Sequence, residues 1–95
     1  MRKTTLLALL ALSMPFAAGA AMASPACTTE PQSAWMSEEA MKAKIAELGY
    51  QKIKTFKVTG SCYEIYGYDK NDKKAEVYFN PVDGSIVKSE IGNED

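Results

Sequence analysis

No histidine occurs anywhere in the 95 residues. That removes the Ser-His and Cys-His nucleophile pairs and the ordinary zinc sites, all of which need an imidazole. Cysteine is nearly as scarce: Cys27 and Cys62 are the only two, far from CxxC spacing, which argues against a thiol redox or metal pair. There is no glycine-rich phosphate loop. No basic stripe tracks a phosphate backbone, so nucleic acid is not an expected partner. No apolar run reaches the roughly 20 residues that span a bilayer. Met36 and Met41 alone make a poor soft-metal site, and neither metal nor cofactor is expected.

What is present begins with an export signal. Arg2 and Lys3 are followed by the apolar core Leu6 to Leu12, then by the breakers Pro15 and Gly19 and the small-x-small site Ala21-Met22-Ala23. The expected signal is 1–23, with a mature chain starting at Ser24 and a periplasmic or secreted destination. Leu6 to Leu12 is too short for a retained anchor, and Ser24-Pro25-Ala26 before Cys27 is not a lipoprotein site. Cleavage leaves 72 residues with nine lysines against twelve acids, a net charge of −3. A domain this small often needs a staple, and an oxidising compartment would favour a Cys27–Cys62 disulfide. Closing that loop would contribute about 4 kcal/mol in the chain-entropy account.

Residues 24–35 read as an irregular arm, 36–91 as one domain and 92–95 as a polar tail. Ser37 is an N-cap, with Glu38 and Glu39 in the first turn where they suit the helix dipole. Met36 and Met41 have the spacing of a hydrophobic staple. Met41, Ile45 and Leu48 form an apolar stripe, and Gly49 closes the helix. From Tyr50 the period changes to two. Gly60-Ser61 signals a tight hairpin that sets Thr59 on Cys62, Lys57 on Glu64 and Phe56 on Ile65. A loop at Lys70-Asn71-Asp72 closes Asp69 onto Lys73, with Asp72 left-handed, and sets Ile65 on Val77 and Tyr63 on Phe79. Pro81 to Gly84 turns the chain once more, pairing Asn80 with Ser85 and placing Ile86 beside Phe79.

The expected fold is therefore α+β: one helix packed on a four-stranded antiparallel meander sheet. Its expected core is Met41, Ile45, Leu48, Phe56, Val58, Tyr63, Ile65, Val77, Phe79 and Ile86. Cys62 has the parity of the opposite face, so the arm must wrap round the hairpin end of the sheet, or the first register is off by one.

That opposite face carries what chemistry the chain offers. Glu64 and Glu76 sit on neighbouring strands, but Lys57 opposite Glu64 makes a solvated charge ladder the plainer reading than paired catalytic acids. Tyr66, Tyr68 and Tyr78 share the face with Thr55 and Val87. Half-exposed strands favour tyrosine and so do interfaces. Thr55, Lys57, Glu64, Tyr66, Tyr68, Glu76 and Tyr78 are thus the candidate partner-binding face.

Trp35 to Lys88 resembles the PepSY domain, a small module of metallopeptidase propeptides and many exported bacterial proteins. The resemblance rests on Leu48-Gly49-Tyr50, on Cys62 to Lys70, on Glu76-Val77-Tyr78-Phe79-Asn80-Pro81 and on Asp83 to Val87. Asp72 stands where such members often carry Gly, and Asn80 where they carry Asp. The resemblance implies a helix on an antiparallel sheet and a non-catalytic role, inhibiting or escorting peptidases in the envelope. The expectation is a monomer whose partner is an exported peptidase or another envelope protein, with a periplasmic small-ligand or ion-binding protein as the alternative.

Overall fold

A computed structural model describes residues 24–92. The expected signal lies outside them, as do the last three residues of the expected tail. A short 3-10 turn, Gln32–Ala34, precedes helix α1, Glu38–Glu47. The strands are β1 (Gln51–Thr59), β2 (Cys62–Tyr68), β3 (Lys74–Phe79) and β4 (Ile86–Ile91), ordered β1-β2-β3-β4 with every neighbour antiparallel. The expected fold class holds.

Local chemistry explains each boundary. Ser37 caps α1, its Oγ accepting from the Ala40 amide at 3.0 Å. Gly49 leaves the helix at φ 99°, a conformation that costs glycine little. Thr59 faces Cys62, Lys57 faces Glu64 and Ile65 faces Val77, as the alternation requires. Asp69 donates its amide to the Lys73 carbonyl, and Asp72 takes φ 67° in the loop between. Asn80 Oδ1 accepts from the Val82 amide at 2.9 Å, so this side chain holds the last turn. A bulge at Tyr78/Phe79 puts Lys88, rather than Val87, opposite Tyr78. Val87 is therefore not one of the face's paired residues.

The core is narrower than the pattern implied. Met41, Ile45, Tyr63, Ile65, Ala75, Val77 and Phe79 are buried, with Trp35, Met36, Tyr50 and Phe56 packed around them. Leu48, Val58 and Ile86 are instead exposed, at 41%, 45% and 44%. The reason is reach. A ten-residue helix of about 15 Å covers the two central strands and little more. Leu48 falls past the last helical residue, while Val58 and Ile86 lie on the two edge strands. Gly67 also shapes this face. A Cβ there would lie 2.8 Å from Ile53 Cδ1, so the missing side chain lets the irregular part of β1 press onto the sheet.

Candidate functional site

The outer face of the sheet, away from α1, carries Thr55, Lys57 and Thr59 on β1, and Cys62, Glu64, Tyr66 and Tyr68 on β2. It continues with Lys74, Glu76 and Tyr78 on β3 and Lys88 and Glu90 on β4. All seven candidate partner-binding residues are brought onto it. They do not have equal access.

One end is closed by the arm. Cys27 and Cys62 form a disulfide with Cα atoms 5.2 Å apart. The Cys27 amide donates to Ser61 Oγ at 2.8 Å, and the Thr28 amide reaches the same oxygen at 3.4 Å. The Pro25 carbonyl oxygen lies 3.2 Å from Cys62 Sγ, a packing contact, since a disulfide sulfur has no proton to donate. The arm does wrap round the hairpin end, and the first register stands.

This closure overturns the solvated ladder. Glu64 is only 2% exposed, flanked on its own strand by Cys62 and Tyr66 and across the sheet by Lys57 and Tyr78. Thr59 Oγ1 donates to Glu64 Oε1 at 2.7 Å, and Lys57 Nζ stands 4.0 Å from the same oxygen. Glu64 Oε2 is buried with no donor facing it. Parity alone could not reveal this, because parity counts strands and ignores an arm folded over them.

The middle of the face is a tyrosine–carboxylate cluster. Tyr66 and Tyr78 both donate their hydroxyls to Glu76 Oε2, each at 3.0 Å. The hydrogen bond to Glu76 pushes the Tyr66 phenol up to about 12, helped by partial burial. Burial first, then the Glu76 bond, raises Tyr78. Glu76 is held below the usual carboxylate range by its bond to Glu64, against the opposing effect of burial; the two tyrosine donors and the Lys88 charge add to the lowering. Lysines lie over the rings: Lys57 over Tyr66 at 5.5 Å, Lys52 and Lys54 over Tyr68 at 5.6 Å, and Lys88 over Tyr78 at 6.0 Å. Such cation–ring contacts contribute about 0.5–1 kcal/mol each when exposed. They had no sequence signal beyond the abundance of lysine.

At the far end the face opens into a groove of about 430 Å³ beside Tyr66, Tyr68, Lys74, Glu76, Glu90 and Ile91. Tyr66 is 40% exposed there. Among the described residues no cluster of three or more acids, histidines or cysteines could hold a metal ion. Among them, too, no helix is long and apolar enough to cross a membrane.

A family described as "Peptidase propeptide and YPEB domain" matches residues 7–90. The chain belongs to the PepSY family. The match spans the helix and almost all of the sheet, well beyond the stretch from Trp35 to Lys88 that carried the resemblance. A search of curated proteins and a search of solved structures found no match. Membership makes this a domain of the peptidase-propeptide type, and the Cys27–Cys62 bridge is compatible with an extracellular location.

Proposed function

We propose that this PepSY protein is exported to the envelope and acts there as a non-catalytic regulator, inhibiting or escorting a peptidase through the open half of its outer sheet face. One observation carries the reading beyond family membership: the face that α1 leaves bare carries Tyr66 and Tyr68 under lysines at its accessible end. Rigid aromatic rings with a polar tip are the side chains that dominate binding at protein interfaces. Thr55, Lys57, Tyr66, Tyr68, Glu76 and Tyr78 form the contact surface in this reading. Glu64, being buried, serves as a strut beneath it.

The test is inhibition of peptidases exported alongside the protein. Replacing Tyr66 and Tyr68 together by Ala should weaken inhibition by roughly 30-fold or more, as interface anchors do, while the circular dichroism spectrum stays unchanged. An inhibition constant untouched by both substitutions would remove the tyrosine face. Absence of any effect of the wild-type protein, combined with a melting temperature that climbs with one small ligand's concentration, would favour ligand binding in the groove instead.

A further inference from the structure

The sheet has two edges, and they differ. β1 is irregular between Gln51 and Thr55, holds Lys52 at φ 53° and carries Lys52, Lys54 and Lys57. Irregularity and lysines are how natural sheets discourage a further strand. β4 is exposed along its whole length, and Ile86, Val87 and Ile91 are each more than 40% exposed. Apolar residues on an open edge strand invite pairing with another strand.

We propose that β4 pairs with β4 of a second copy of this chain, antiparallel and centred on Ser89, joining two sheets into one of eight strands. Hydrogen-bond parity comes first. The Gly92 amide donates to the Lys74 carbonyl at 2.8 Å, which makes Lys74–Gly92 a hydrogen-bonded pair. By alternation Lys88 and Glu90 also turn their amides toward β3, leaving those of Ser89 and Ile91 aimed at the free edge. A two-fold axis at Ser89 brings these outward groups together.

Charge then selects among the registers that share this parity. Centring on Lys88 or on Glu90 would set like charges directly opposite, which is destabilising. Centring on Ser89 sets Lys88 opposite the partner's Glu90, and Glu90 opposite the partner's Lys88. The same register sets Val87 opposite the partner's Ile91, covering two exposed apolar side chains. Within one chain Lys88 Nζ and Glu90 Oε2 already lie 3.4 Å apart, both largely exposed, so the exchange of partners needs little rearrangement. A single strand pair is a small interface, so the dimer is weak and forms at high protein concentration. It departs from the monomer that the sequence led us to expect, and it does not depend on the peptidase reading.

Sedimentation equilibrium of the full-length protein tests it. The wild-type chain should associate at roughly millimolar concentration, and Lys88→Glu or Glu90→Lys alone should each weaken association by about tenfold or more. An equimolar mixture of the two variants should associate again, because each supplies the charges that the other needs. Amide exchange gives a second reading with no substitution: Ser89 and Ile91 should slow as concentration rises, while Lys88 and Glu90, bonded to β3, should not change. A monomer throughout the range would overturn the proposal. So would a dimer indifferent to both reversals, or one that leaves the Ser89 and Ile91 amides unprotected.

Discussion

Replacing Cys27 and Cys62 together by Ala tests how much of this small fold depends on its arm. The bridge closes a loop of sequence separation 35. In the chain-entropy account such a loop contributes about 4 kcal/mol, acting on the unfolded chain. A domain of this length has a total stability of roughly 4–11 kcal/mol. The two noncovalent hydrogen bonds from the arm to Ser61 are partly exposed and offset only part of the loss. The expected loss is about 2–4 kcal/mol, or a fall of roughly 10–30 °C in melting temperature.

Trp35 provides the assay. It is the only tryptophan, its ring meets Tyr63 edge-on at 5.4 Å and its indole N–H donates to the Glu30 carbonyl at 3.3 Å, so its fluorescence reports on the seam between the core and the arm. Urea titrations of the two proteins should differ in midpoint. The slope should rise in the variant, whose unfolded chain, freed of the cross-link, exposes more surface. A loss below about 1 kcal/mol with an unchanged slope would refute the reasoning, because the arm would then act neither on the unfolded chain nor on the folded one.

Two further predictions turn on Glu76. Tyr66 sits above its unfolded value of 10.0, at about 12, so its contribution is complete below pH 10 and is lost as pH climbs toward 12; in an ultraviolet phenol titration Glu76→Gln should move that transition back toward 10. Glu76 itself lies below its ordinary 4.5, so its contribution is complete above that pH and is lost as pH falls through the depressed value; Glu76→Gln should flatten this acid limb of stability, and an unaltered limb would deny the cluster any role in it.

Strand order, turns and most pairings were legible because they are local. Gly60-Ser61, Asp69 to Lys73 and Asn80 to Ser85 each bring two short strands together over a few residues, and the apolar alternation then admits one register. The limits of the core were not legible. Alternation says which side Val58 and Ile86 point to, but not that a ten-residue helix stops short of both edges. Val87 was misplaced for a related reason, since a bulge inserts a residue without any change in the pattern on either side. Glu64 was the largest error, and its cause is non-local: residues 24–30 carry no strand or helix signal, yet they fasten onto the hairpin next to it at Ser61 and Cys62.

That error changes how the outer face should be understood. A sheet with one covered and one bare side would offer all its bare residues alike to a partner. Here the arm and disulfide close the Cys62 end, where an acid is buried, while the Tyr68 end opens into a groove. Glu76 stands between them, accepting from the hydroxyls of Tyr66 and Tyr78. The exposed tyrosine is therefore oriented through Glu76, while the arm and its disulfide hold the other end of the face. Opening the disulfide should loosen the Cys62 end first, and a partner that docks on Tyr66 should feel the loss of Glu76 more than the redox state of two cysteines that it never touches.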